Sequence, residues 1–216
     1  MTSILLTGFE PFAESTTNPS WQAVERAAAR WPGPETLHIA KLPVVFGECA
    51  QAMRSRIHRH QPDLVIAVGQ AGARPQITPE RIAINVDDAR IPDNAGAQPI
   101  DVPIVAGGPA AYFSTLPIKA AVEARRQRGI PAAVSNSAGT YVCNHIFYAI
   151  MHELAREFPK TRGGFVHVPF TPDQVAHMQE AKPSLSLDLI AEGLLTIIRT
   201  SLASPIDLAI AGGTEH

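Results

Sequence analysis

The sequence predicts an α/β protein, a three-layer α/β/α sandwich around a mostly parallel twisted sheet. Short apolar runs, Ile4-Leu5-Leu6-Thr7, Asp63-Leu64-Val65-Ile66-Ala67-Val68 and Gly164-Phe165-Val166-His167-Val168-Pro169, read as strands covered on both faces. Between them lie longer stretches whose apolar residues recur every three or four positions, as in helices with one apolar face. Strands alternating with helices favour parallel pairing through crossover connections. The 216 residues, 45% hydrophobic and 18% charged, suit one compact domain over residues 1–216. No repeat, low-complexity tract or linker divides them.

Ile4–Thr7 makes the first strand, and Gly8-Phe9-Glu10-Pro11-Phe12 breaks it into a loop. Two aromatics beside a proline are unusual in a solvated turn, so Phe9 and Phe12 either plug the core or line a pocket. Asn18-Pro19 supplies an N-cap and a first-turn proline for a helix to about Arg30. Leu37, Ile39 and Leu42 mark a second strand ending at Pro43. A helix follows from Phe46 to about His60, with Cys49, Met53 and Ile57 four apart on its apolar side, which makes Cys49 a core or interface residue. The strand Asp63–Val68 stops at Gly69-Gln70-Ala71-Gly72, where open α/β sheets place ligand sites. These glycines do not form a dinucleotide fingerprint. Ile82, Ile84 and Val86 share one face of the next strand, and Glu80 just ahead of it reads on its own as a solvated loop carboxylate. Residues 87–110 form a long Asp-, Pro- and Gly-rich loop, of the kind that is usually functional or mobile.

Ile118 to Arg128 is the third helix, and its Arg125-Arg126-Gln127-Arg128 cluster reads as charge complementing a helix C-terminus. Ala132–Asn136 is the next strand, Cys143–Phe158 the fourth helix and Gly164–Pro169 the last buried strand. Ser186–Ser201 closes the helices, with Leu189, Ile190, Leu194, Ile197 and Ile198 on one side. After the short apolar stretch from Ile206 to Ala211 comes a polar tail predicted to be disordered.

Charge and composition exclude several functions. A net charge of −2 gives no broad basic field for nucleic acid or anionic lipid. The N-terminus has neither the basic start nor the long apolar core of a signal peptide, and no run reaches the length of a membrane span. Cys49 and Cys143 lie far apart in sequence, so a disulfide framework is not expected and a reducing cytoplasm is the natural home. Asp87-Asp88 has no second cluster with metal-ligand spacing, so no metal and no cofactor are expected.

The stretch from Ser135 to His145 organises the chain, because it carries a buried strand through a small-residue turn at Gly139 into an amphipathic helix. Cys143 falls in that helix's first turn, where free backbone amides and the helix dipole favour an anion. A thiol held there is expected to ionise readily; the alternative is a small core hydrophobe. Hydrolysis of an amide by a thiol needs a nucleophile, a base and a group that orients the base. Cys143, His167 near the end of the next strand and Glu80 ahead of an earlier one are the candidates, and parallel topology can bring such ends to one edge. His167 is otherwise a core histidine bonded to backbone.

Gly69-Gln70-Ala71-Gly72, followed by Ile77-Thr78-Pro79-Glu80-Arg81-Ile82-Ala83 and Asn85, resembles the first signature of the pyroglutamyl peptidase I family of cysteine peptidases. The stretch from Ser135 through Cys143-Asn144 resembles the second, and Gly8-Phe9-Glu10-Pro11-Phe12 matches as well, so the similarity runs through essentially the whole chain. The resemblance implies removal of N-terminal pyroglutamyl residues from peptides, with Cys143 as nucleophile, His167 as general base and acid, and Glu80 as its orienter. It further implies that Phe9 and Phe12 pack on the pyrrolidone ring with Val142 and Ile91 near it, and that Gln70 fixes the lactam through its backbone. Arg90 and the Cys143 N–H would serve the oxyanion. A homotetramer is also implied, for which exposed apolar positions on the Ser186–Ser201 helix are candidates. Two departures stand out: Ser15, where some relatives carry an aromatic, and Tyr141, where phenylalanine is frequent.

Two rival readings remain at this level. A nucleoside- or phosphate-handling enzyme on the same architecture would need a basic phosphate cradle, which the sequence lacks. A non-catalytic binding protein would keep the pocket without its chemistry, and the presence of all three triad candidates weighs against that.

Overall fold

The computed structural model describes residues 2–13, 15–204 and 206–213. The polar C-terminal tail, residues 214–216, lies outside the described residues. A five-stranded sheet forms the middle layer, in the order β2 (Thr36–Leu42), β1 (Ser3–Phe9), β3 (Leu64–Gln70), β7 (Arg162–Val168), β4 (Thr78–Pro79). All neighbours are parallel except β4, which runs antiparallel to β7. Side chains alternate between faces. Ile4, Leu6, Ile66, Val68 and Val166 therefore pack under α1 (Pro19–Ala29), α3 (Ile118–Arg126) and α6 (Leu187–Ala203). Leu5, Phe9, Val65, Ala67 and Phe165 pack under α2 (Glu48–His60) and α4 (Val142–Glu157).

Several expectations change in the structure. The first strand runs on through Gly8 and Phe9, paired with Lys41 and Leu42, instead of breaking at Gly8. Gly8 is needed for closeness, because a Cβ there would lie 2.7 Å from the Trp21 backbone of α1. Residues 132–136 form no regular strand. They bridge in parallel to Ile77 and Glu80 at Ala132 and Ser135, and the ladder between is interrupted where Pro79 lacks an N–H. In β5 (Ile82–Ile84) Ala83 is fully buried and packs with α4 residues, Ile82 and Ile84 are half-buried, and Val86 lies beyond the strand. Asn144 of α4 accepts from the Ile84 N–H and donates to the Ile84 and Val86 carbonyls, which holds this segment against α4. Short elements not foreseen are β6 (Ala111–Phe113), antiparallel to β5, and α5 (Pro172–Val175).

The basic cluster at the end of α3 is not all surface charge. Arg125 is fully buried against α6, and its Nε donates to the Gly193 carbonyl at 2.9 Å. Arg128 does reach solvent, where it pairs with Glu192. The apolar face of α6 is spent on the core, which leaves Leu189 as its exposed large hydrophobic residue. Asn18 caps α1 as expected, its side chain accepting from the Ser20 N–H at 3.0 Å. Cys49, on α2, is fully buried. Among the described residues, no helix is long and apolar enough to cross a membrane, and no group of three or more His, Cys, Asp or Glu is placed to hold a metal ion.

Candidate active site

Cys143 is the second residue of α4, half-buried, at the carboxyl end of the parallel strands. The turn that feeds it depends on Gly139, whose φ of 79° only glycine adopts without strain. A Cβ at Gly139 would meet nothing within 4 Å, so the requirement is conformational and not one of space. Beneath the thiol lies Gly69 near the end of β3, where a Cβ would come within 2.8 Å of Cys143 Sγ and 2.6 Å of Phe165 Cζ. The sulfur thus rests directly on the sheet, over the strand position whose Cα partner in β7 is His167. This close approach is what the glycine at position 69 makes possible.

His167 and Glu80 meet as a buried pair: His167 Nδ1 lies 2.6 Å from Glu80 Oε1. The two side chains are 5% and 0% exposed, so Glu80 is not the solvated loop carboxylate that its sequence position suggested. The antiparallel bridge of β4 to β7 puts Thr78 opposite His167, and the Glu80 N–H donates to the Phe165 carbonyl at 2.9 Å, fixing the carboxylate beside the ring. Burial alone would push the Glu80 pKa up. The hydrogen bond and charge of His167, the Arg74 guanidinium and Ser135 outweigh it and hold the carboxyl below its ordinary value. Glu80 is therefore ionised at neutral pH and engages Nδ1 of the imidazole, which leaves Nε2 for proton transfer.

The thiol departs from expectation. Burial, and then the negative charge of Glu80, push Cys143 up to about 12, with Arg74 acting in the opposite direction. A helix N-terminus contributes about 0.3–1 kcal/mol, less than a factor of ten in ionisation, too little to offset removal from water. Burial and the Glu80 charge thus favour the protonated thiol, which calls for a base at the moment of attack.

Above the thiol opens a cavity of about 310 Å³. Phe9, Phe12, Val142 and Gln70 line it as expected, and Phe9 is both a core plug and a pocket wall. Ser15 lines it too. Val44, Phe170 and Met178 also line it, and none of these was singled out from sequence. Among the described residues lining it, none carries a charge. Arg90 and Ile91 are exposed and lie outside the lining. Their segment is nevertheless pinned to the turn before Cys143: the Asp88 N–H donates to the Thr140 carbonyl (2.9 Å), Thr140 Oγ1 to the Asp88 carbonyl (2.8 Å), and the Tyr141 hydroxyl to the Pro92 carbonyl (3.0 Å). His145 completes this clamp, with Nδ1 2.7 Å from Asp87 Oδ2 while Nε2 accepts from the Gly47 N–H at 3.1 Å.

A thiol, a histidine that can take its proton and a carboxylate that orients the histidine are the equipment of a cysteine hydrolase. The chain belongs to the pyroglutamyl peptidase family, whose model matches residues 2–204. It is 52% identical to the pyrrolidone-carboxylate peptidase of Streptomyces coelicolor over the full length of both chains. Its fold matches the crystal structure of Bacillus amyloliquefaciens pyroglutamyl peptidase I with a TM-score of 0.91 and 50% identity, covering 96% of this chain and 100% of that one. A mutant pyrrolidone carboxyl peptidase from the hyperthermophile Pyrococcus furiosus matches with a TM-score of 0.90 and 39% identity, covering 94% of this chain and 99% of that one.

Proposed function

We propose that this chain, working as one domain, hydrolyses the amide bond after an N-terminal pyroglutamyl residue of peptides through a thioacyl-enzyme on Cys143. The observation that carries this reading is the half-buried thiol at the foot of a cavity without charged lining, on the same sheet edge as a buried His167–Glu80 pair. Cys143 Sγ attacks the pyroglutamyl carbonyl carbon as His167 Nε2 takes the thiol proton. The tetrahedral intermediate then collapses, the C–N bond breaks, and His167 gives that proton to the departing peptide amine. Water attacks the thioester, His167 accepts a proton from it, and the C–S bond breaks with the proton returned to sulfur. Glu80 holds the imidazole in the required tautomer and stabilises its cationic form. Oxyanion charge falls to Arg90 and the Cys143 N–H. In support of this reading, the clamp between residues 87–92 and Thr140-Tyr141 ties the Arg90 segment to the turn before Cys143.

The pocket chemistry fits the substrate. A pyroglutamyl group is small, flat and uncharged, so Phe9, Phe12 and Val142 supply apolar burial and the Gln70 backbone supplies orientation. No carboxylate is required for an α-ammonium, because that nitrogen is closed into the lactam. We place the reaction in the cytoplasm, without cofactor or metal. We also propose that the chain assembles as a homotetramer, for which exposed Phe113 and Ile100 are better placed than α6. Release of a chromophore from a pyroglutamyl amide by the wild type and not by Cys143→Ala is the test. An active Cys143→Ala protein overturns the mechanism.

A further inference from the structure

We infer that Arg74 is a positioning residue for this reaction: its guanidinium joins the orienting carboxylate to the turn that presents the nucleophile and keeps a positive charge beside both. The inference rests on the triad reading above. Arg74 Nη1 lies 2.5 Å from Glu80 Oε1, the same oxygen that His167 Nδ1 approaches at 2.6 Å. The same Nη1 donates to Thr78 Oγ1 at 2.6 Å, and Nη2 donates to the Ser137 carbonyl at 3.0 Å. One side chain therefore ties together the loop after β3, the β4 segment facing His167, and the turn that leads into α4.

Three physical consequences follow from this geometry. A fully buried carboxylate with a neutral imidazole as its only partner is costly, and a guanidinium on the same oxygen offsets that cost. The fork of Arg74 is rigid, so contacts to Glu80 and Ser137 fix the distance between the His167 side and the Cys143 side of the site. The third consequence is electrostatic. Around the thiol, Glu80 opposes ionisation and Arg74 favours it, while Tyr141 and Cys49 interact with it as further acids. His167 completes the set through its bond to Glu80, and Arg81 is directed away, to Asn136 and the Gly212 carbonyl. Arg74 favours negative charge on the sulfur as its proton leaves, against the carboxylate of Glu80. The Arg74 side chain is itself 30% exposed, so its replacement leaves the core intact.

The test is the pH dependence of kcat/KM for wild type, Arg74→Gln and Arg74→Lys, read beside the rate of Cys143 alkylation by iodoacetamide at each pH. Loss of an opposite charge at this range moves a titration by about one pH unit or more. Arg74→Gln is expected to displace the acid limb and the alkylation profile to higher pH together, and to lower kcat/KM at neutral pH by about tenfold or more. Arg74→Lys keeps the charge without the fork, so it restores the limb while recovering only part of kcat. A uniform loss at every pH with Lys no better than Gln, or an unchanged profile in both variants, overturns the inference. Failure of the triad reading looks different, since Cys143→Ala or His167→Ala would then retain activity whatever the Arg74 variants do.

Discussion

Gly69→Ala adds one methyl group directly beneath the proposed nucleophile. Its backbone is compatible with alanine, so any effect comes from space alone. The new Cβ would sit 2.8 Å from Cys143 Sγ and 2.6 Å from Phe165 Cζ, against a normal contact of at least 3.4 Å. The sulfur must therefore move by about 0.6 Å or rotate to another rotamer, and Phe165, packed at 0% exposure among core residues, has little room to yield. Overpacking of this kind costs about 1–3 kcal/mol. In a domain of this size that lowers Tm by about 2–4 °C per kcal/mol. The kinetic effect is larger, since a misplacement on the order of 1 Å can cost about 10²-fold. Steady-state hydrolysis of a pyroglutamyl amide should therefore show kcat down by about 10²-fold with a folded protein by circular dichroism. Wild-type kcat in Gly69→Ala would mean that the thiol does not react from its position over β3.

Cys49→Ser should keep most of the activity while losing stability by about 1–3 kcal/mol, because it places a hydroxyl in a fully buried apolar site; urea titration and the hydrolysis assay measure the two. Glu80→Gln should reduce kcat by up to about 10⁴-fold. Its stability penalty should depend on pH: the Glu80 pKa is held below its ordinary 4.5 in the folded protein, so its stabilisation is present above that value and is lost as pH falls through the lower folded-state value. Unfolding of wild type and variant should therefore converge in acid, and a gap that persists unchanged at low pH would contradict the pair. Prolyl and glutaminyl amides with the same leaving group should be cleaved at least about 10⁴-fold less efficiently than the pyroglutamyl amide, since no described lining residue can pair an ammonium and the lactam donors would be left empty. Comparable kcat/KM for the prolyl compound would refute the pocket.

Cys143, His167 and Glu80 can be named as candidates from sequence because each stands at the end of an element and parallel topology sends such ends to one edge, although Glu80 on its own reads as a solvated loop carboxylate. The layer architecture was equally legible from runs such as Ile4–Thr7 and Asp63–Val68, whose burial on both faces leaves no alternation to misread. What was hidden depended on contacts between distant segments. Arg74 sits in a glycine-rich loop, and only the fold shows that its partners are Thr78, Glu80 and Ser137. Arg125 reads as helix-end charge because α3 shows no sign of the α6 carbonyl it meets. Ile82, Ile84 and Val86 stand out in a hydrophobic pattern, yet Ala83 between them is the fully buried residue, on a segment that Asn144 of α4 holds by hydrogen bonds. The readiness of Cys143 to ionise was misjudged for the same reason: helix position is local information, while burial and the charge of Glu80 come from elsewhere in the chain.

The proposed mechanism places the chemistry on one sulfur, Cys143 Sγ. Partial alkylation with iodoacetamide, followed by peptide mapping of each cysteine alongside the residual rate of pyroglutamyl amide hydrolysis, measures this directly. Activity should fall one-for-one with modification of Cys143 while Cys49, fully buried, stays unmodified. Complete modification of Cys143 with activity retained, or loss of activity that follows Cys49 instead, would contradict it.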